Sequence, residues 1–446
     1  MHPEEWIPRV VFGLDPLWVA TILLIATYAV IMTERVNRAI VALVGACLMV
    51  ALGVLNQEAA IAGVDFNTIM LLTGMMLIVG VTRQSGLFEY VAIWTVKRAR
   101  ANPAGILFWL SVATAVFSAF LDNVTTVLLV VPVTIAIAKE LRVPPYPFLF
   151  SEILASNIGG TATLVGDPPN IVIGSAVGFT FNDFVVNLTP VIVVILAITA
   201  AMVHWLYGRR LAAAEEDRAR VLAMDERAAI KDPALLRHCL MVLAIVVVAF
   251  VLARVIRLEA GSIAIFGAAV LLLLENWPHS AEHQAHRVHA RFGEVEWITL
   301  FFFIGLFVVV AGVERAGLLR LLAGKVLELT GGDLAVTAVA VLWTSAILSA
   351  MVDNIPFVIT MIPLIENLAP SMGGPEAIEP LWWALSLGAC LGGNGTLIGA
   401  SANLTVAGIA ERQGVPFRFL TYSKTAFPLM LVSIVLSHIY LVVRYL

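Results

Sequence analysis

Charge is what this chain lacks most. Only 13% of its 446 residues are Asp, Glu, Lys or Arg, about half the share of a soluble globular domain, and that scarcity argues against a water-exposed surface. Cysteine is scarcer still: Cys47, Cys239 and Cys390 stand far apart inside apolar segments, which excludes a disulfide framework or a thiolate metal cluster. No basic stretch introduces the first apolar run, Leu17 to Met32, which follows Glu4, Glu5 and Asp15 instead; no small-residue cleavage site comes after it. It reads as a retained helix rather than a signal peptide. A formal net charge of −4 says little about partners, and no nucleic-acid partner is expected.

What the chain has in excess is apolar sequence. Hydrophobic residues make up 60%, against roughly 45–50% in soluble domains, and they fall into many runs of the length that crosses a bilayer. The runs repeat. A shift of 231 positions aligns Gly74 with Gly305, Gly86 with Gly317, Ser118 with Ser349, Asp122-Asn123 with Asp353-Asn354 and Pro132 with Pro363. A shift of 233 then aligns Gly159-Gly160 with Gly392-Gly393, Thr163 with Thr396, Gly166 with Gly399 and Asn170 with Asn403. The chain is therefore read as a first repeat, 1–207, a linker, 208–235, and a second repeat, 236–446.

The predicted class is an all-α polytopic membrane protein. The first half offers spans near 17–33, 39–55 and 66–83, an amphipathic helix near 86–99, and an apolar stretch, 104–140, too long for one helix. Asp122-Asn123-Val124-Thr125-Thr126 interrupts that stretch, which reads as a re-entrant hairpin with these residues at its tip. A broken helix, 147–176, and a span at 184–207 follow. The second half repeats this with spans near 236–257, 261–275 and 296–313, a hairpin at 333–368, a broken helix at 380–410 and a span at 425–446. Each half then has five crossings and one hairpin. An odd number inverts the second half relative to the first, the inverted-repeat architecture of secondary transporters. Counting each hairpin as two full spans would give six crossings per half, and the acids in mid-stretch argue against it.

Charge tests the topology. One side gathers 20 of the 27 Lys and Arg and the other 7, so the linker is expected to be cytoplasmic and both termini on the outer side of the plasma (inner) membrane. The linker, rich in Arg, Glu, Asp and Ala, reads as a solvated connector. His279, His283, His286 and His289 have helix-compatible spacing but no carboxylate or cysteine cluster beside them, so a solvated loop is expected there and no metal.

An Asp in mid-membrane costs about 2.5–3.5 kcal/mol even on the lenient insertion scale, so such acids usually line a pathway or carry protons. Asp122 and Asp353 are the first candidates. Each would also cap the second helix of its hairpin, though a Ser would cap without a buried charge. The second element is the pair of glycine-rich breaks. In the first, Asn157, Thr161, Thr163 and Asn170 supply neutral donors and acceptors; in the second, Asn394, Thr396, Ser401 and Asn403 do. Asp167-Pro168-Pro169 in the first becomes Ala400-Ser401-Ala402 in the second, so Asp167 is an acid with no counterpart. Glu152 is a fourth acid that could equally serve a polar helix contact, and Cys390 reads as a small packing residue. A receptor or scaffold has no need of four embedded acids.

The strings FLDNVTTVLLVVPVTIAIAKEL and NIGGTATLVGDPPNIVIGSA closely resemble the ArsB and P protein group of the ion transporter superfamily, and the resemblance covers nearly the whole chain. It implies two opposed hairpins and two broken helices around a substrate, a scaffold of the other helices, and elevator-like movement. The site it implies takes Asp122, Asn123, Thr125, Asn157, Thr161, Thr163, Asp167 and Asn170 from the first half. From the second it takes Asp353, Asn354, Asn394, Thr396, Ser401 and Asn403. Where dicarboxylate carriers of the superfamily have Ser-Asn-Thr at both tips, this chain has Asp-Asn-Val and Asp-Asn-Ile. The added charge would repel a dicarboxylate and suits a cation, a proton or a neutral polyhydroxy solute.

The resemblance therefore implies an arsenite efflux permease: export of arsenite or antimonite in exchange for protons, with Asp122, Asp353 and Asp167 as proton-coupling candidates and the neutral residues holding substrate. No cofactor is expected, since the proton gradient and membrane potential would drive it. Expected partners are the lipid bilayer, a second copy in a homodimer, and a separate soluble arsenite-stimulated ATPase such as ArsB-type pumps can engage. The alternatives are a sodium/proton antiporter of the NhaD type, with sodium at the two tips, and a carrier of carboxylates or other anions.

Overall fold

The computed structural model describes residues 8–33, 35–277 and 280–446, and among them every regular element is helical. Eight described helices are long and apolar enough to cross a membrane, or nine if a bent pair counts as one span. Three of the eight, Pro103–Phe120, Asn123–Glu140 and Leu334–Met351, are hairpin arms rather than crossings. The ten crossings are made up of the five remaining long helices, three shorter apolar ones (Pro16–Met32, Arg38–Ala51 and Ala260–Asn276) and two broken helices.

Each hairpin turns on an acid. Leu121 leaves the first arm in an extended conformation, and Asp122 then caps Asn123–Glu140 by accepting from the Thr125 N–H at 2.8 Å and its hydroxyl at 2.5 Å. Val352 and Asp353 do the same before Asn354–Glu366, with Asp353 accepting from the Ile355 N–H at 3.2 Å. The broken helices are Tyr146–Thr161 with Pro168–Val177, and Glu379–Gly392 with Ser401–Arg412. Pro168 and Pro169 stop the first from continuing through its gap, since proline has no N–H to give.

Glycine pairs show how the halves interlock. A Cβ on Gly74 would lie 2.5 Å from the Ala264 carbonyl carbon, and one on Gly305 would lie 2.6 Å from that of Ala42. Helix Phe66–Gln84 thus packs on Ala260–Asn276 as Trp297–Arg315 packs on Arg38–Ala51, each pair joining the two halves. Gly159 and Gly392 meet Ala115 and Ala346 of the adjacent hairpin arm in the same matched way. Contacts also sort the loops by side. Lys139 with Gln413, Arg83 with Glu294 and Lys97 with Glu226 gather on the linker face; Asp183 with Arg254, Asn187 with Tyr440 and Arg9 with Gly53 gather on the other.

Two details add to the sequence reading. The linker is largely exposed, yet its helix Glu215–Leu222 lies against the hairpin, with Asp217 buried and in ion pairs with Arg142 and Arg220, while the Lys231 N–H donates to the Ser85 carbonyl. Leu318–Thr330 is an amphipathic helix matching Leu87–Arg98, bounded by Gly317 and Gly331 at positive φ, which the sequence reading left out. His279 lies outside the described residues, and among the described residues no cluster of three or more potential metal ligands occurs.

Gly159→Ala and Gly392→Ala are expected to destabilise the protein by about 1–3 kcal/mol each through overpacking against a neighbouring backbone. Gly324→Ala, with nothing within 4 Å of the new Cβ, should be neutral or stabilising. Thermal unfolding of detergent-purified variants reads the contrast.

Candidate functional site

A helix broken inside a membrane exposes main-chain groups that must find partners within the protein. Both breaks meet this demand in the same way. Asn170 Nδ2 donates to the Thr161 and Thr163 carbonyls at 3.1 and 2.9 Å; Asn403 Nδ2 donates to those of Gly393 and Thr396, both at 2.8 Å. The Thr163 and Thr396 hydroxyls reach the ends of the hairpin arms, at Ala119 and Ala350. Ser118 and Ser349 return the contact to the carbonyls of Ser156 and Ala389. Thr161 bonds the Asn157 carbonyl at 2.7 Å. In this conformation the side chains of Thr161, Thr163 and Thr396 thus bond the backbone.

The remaining amides lead from the first tip across to the second half. Asn123 Nδ2 donates to Asn157 Oδ1 at 3.0 Å, and Asn157 Nδ2 donates to Oδ1 of both Asn394 and Asn403 at 2.9 Å. On the opposite side of the pseudo-symmetry, Asn170 Oδ1 accepts from Ser386 at 2.5 Å and from the Cys390 thiol at 3.6 Å. Cys390 holds the position that Asn157 holds in the first half, which is why it sits in the site at all. Asn354 Nδ2 approaches Asp167 Oδ1 at 3.5 Å. Asp167 Oδ2 and Asn123 Oδ1 are buried with no protein partner among the described residues.

The three acids differ sharply in their surroundings. Asp353 Oδ2 is held by Arg38 Nη1 at 2.6 Å and by the Ser401 hydroxyl at 2.7 Å, and Ser401 in turn accepts from the same guanidinium at 2.5 Å. Arg38 also lies over the Phe302 ring, 4.9 Å from its centroid. Neither Asp122 nor Asp167 takes part in an ion pair among the described residues. A cavity of about 310 Å³ is lined by Asn37, Arg38, Val124, Glu296, Asp353 and Ser401 among others, so the junction is reached from the linker face. A cavity of about 390 Å³ on the opposite face is walled by Leu164, Ile171 and Gly174, and its lining includes neither Asp122 nor Asp167.

Every residue of the expected site therefore lies at the two tips and two breaks, with Thr125 bonded to its own cap. Sequence reasoning missed Arg38, Glu296 and Ser386. Arg38 escapes a sequence reading because its partner is 315 positions away and no local pattern marks it. The Tyr28 hydroxyl, bonded to the Pro356 carbonyl and near Thr360, ties the first helix to the second hairpin and was missed for the same reason.

Comparison with known proteins sets these features in context. A family model described as CitMHS, citrate transporter, matches residues 28–388. An uncharacterized transporter of Mycobacterium bovis is 44% identical over 432 residues, 96% of this chain and 98% of that one. The human P protein is 34% identical over 510 aligned residues, 96% of this chain and 60% of its own length. The crystal structure of the YdaH transporter of Alcanivorax borkumensis superposes with a TM-score of 0.58 at 15% identity, covering 96% of this chain and 98% of that one; it shares the fold.

Removing Arg38 would leave Asp353 without its cation. Arg38→Met should destabilise the protein by about 1–3 kcal/mol, less than a fully buried pair because the guanidinium is partly exposed, and adding Asp353→Asn should recover much of that loss. A double-mutant cycle on unfolding midpoints measures the coupling.

Proposed function

The chain belongs to the citrate transporter family, CitMHS, and within that family of membrane transporters we propose that it exports a small neutral hydroxylated solute in exchange for protons, with arsenite or antimonite as the substrate. One observation carries this reading: three buried carboxyls, Asp122, Asp167 and Asp353, converge with a single guanidinium, Arg38. An excess of acid over base favours protons and uncharged solutes over anions. The amides of Asn123, Asn157, Asn394 and Asn403 offer both donors and acceptors to hydroxyl groups.

Asp353 already has a cation, so taking up a proton there would break an ion pair. Asp122 and Asp167 can take one without that loss, and they are assigned the coupling role. Moving one neutral solute out against one proton in transfers a net charge worth about 2.3 kcal/mol per 100 mV, enough for a roughly 50-fold concentration ratio without ATP. The surplus of Lys and Arg on the linker face makes that face cytoplasmic, so the cavity at Asp353 opens inward.

A second reading, carriage of a carboxylate, is favoured by Arg38 on the cavity wall and by the family's description. It requires the acids to be neutralised by protons or bound cations first. Purified protein in liposomes separates the readings. Arsenite movement driven by an imposed proton gradient and indifferent to sodium supports the first; citrate uptake without arsenite flux supports the second; sodium-driven proton movement alone defeats both. Under the first reading, Asp122→Asn and Asp167→Asn each abolish proton-coupled flux.

A further inference from the structure

One buried acid has no part in the site just described. Glu152 is fully buried on helix Tyr146–Thr161, bonded through Oε1 to the Thr134 hydroxyl at 2.5 Å, and its Oε2 has no protein partner. The elements packed against this helix carry titratable side chains mainly near their ends: Lys139 and Glu140, His204, Glu379, and Glu411 and Arg412. Lys139 is bonded to Gln413 and Glu140 faces Arg220, and no ion pair among the described residues includes Glu152.

Its place in the fold is between the site and the linker face. Glu152 lies about 9 Å along the helix from the end at Tyr146, and Asn157, in the site, lies about 7.5 Å deeper. Polar side chains fill the interval. Ser156, one turn from Glu152, donates to the Asn123 carbonyl at 3.3 Å, and Thr126, one turn into the facing arm, has a buried hydroxyl with no protein partner. Asn123, Ser156, Thr126, Glu152 and Thr134 thus form a polar seam leading from the first tip toward the linker face.

The repeat supplies an internal control for a purely structural role. At the matching positions of the second half stand Ala389, Phe357, Leu385 and Ile365 in place of Ser156, Thr126, Glu152 and Thr134. Leu385 and Ile365 are fully buried. Beyond Asn354 at the tip, the matching seam therefore packs with apolar side chains, and a buried group with an unpartnered oxygen costs about 1–3 kcal/mol. Packing does not call for the acid.

We propose that Glu152 is the relay that passes protons between the tip of the first hairpin and the linker-face solvent. A proton leaves Asp122 or Asp167, moves through the hydroxyls and any water they hold onto a Glu152 oxygen, and is released from there to the linker-face solution. The carboxyl returns to its starting charge, so no other reactant is needed. The relay rests on the proton-coupled reading above.

The test uses Glu152→Gln and the double variant Thr134→Ile/Glu152→Leu, which copies the apolar seam of the second half and guards against a folding failure of the single change. Proteoliposomes are assayed in two ways: arsenite counterflow at equal pH, which needs no net proton movement, and proton movement driven by an arsenite gradient, read with an internal pH dye. Both variants should retain counterflow while arsenite-driven proton movement falls by about 100-fold. Proton movement at the wild-type rate in both variants would overturn the relay alone, as would loss of counterflow in step with it. Wild-type arsenite flux without protons, or no arsenite flux, would overturn the relay together with the transport reading beneath it.

Discussion

An interrupted helix within a bilayer has main-chain groups that water cannot reach, and the interior of this protein is organised around satisfying them. Asn170 and Asn403 each close their own break by bonding two carbonyls, while Thr163, Thr396, Ser118 and Ser349 stitch each break to the adjacent hairpin arm. Those bonds demand close backbone approach. Gly159 against Ala115 and Gly392 against Ala346 provide it. Two hairpin tips are thereby held beside two helix breaks, and the polar atoms left over, chiefly amides and carboxyls, face one another across the junction between the halves.

Symmetry explains the frame, and it fails where the charges lie. The stitching bonds recur in both halves almost atom for atom, as a scaffold requirement should. The charges do not. Asp353 has Arg38 and Ser401, Asp122 has only its own cap, and Asp167 faces Ala400 across the pseudo-symmetry. Glu152 and Thr134 face Leu385 and Ile365 in the same sense. Under the proposed exchange of solute for protons, this inequality leaves the two acids of the first half free of a cation while the one in the second half is held by Arg38.

The ion pair of Arg38 with Asp353 joins a helix outside the hairpins to a hairpin tip, at the mouth of the cavity on the linker face. Its strength depends on how much water reaches it, so movement of the tip relative to Arg38–Ala51 and a change in hydration would act on the same bond. Phe302 beneath the guanidinium limits that hydration from one side.

Much of this was legible from sequence. The apolar runs located the spans within a few residues, and the doubled Asp-Asn and Gly-Gly motifs revealed the inversion, because span length and turn chemistry are local properties repeated along the chain. The tips at Asp122 and Asp353 and the breaks at Asn157 to Asn170 and Asn394 to Asn403 follow from the same signals. Local pattern could not reveal that Arg38 would reach Asp353, or that Thr163 and Thr396 would bond main-chain carbonyls. Nor could it reveal which face the cavity would open to. These depend on which distant segments are brought within a few ångströms, and only tertiary packing decides that: a hydrogen bond or ion pair acts over contact distance in space, whatever the separation along the chain.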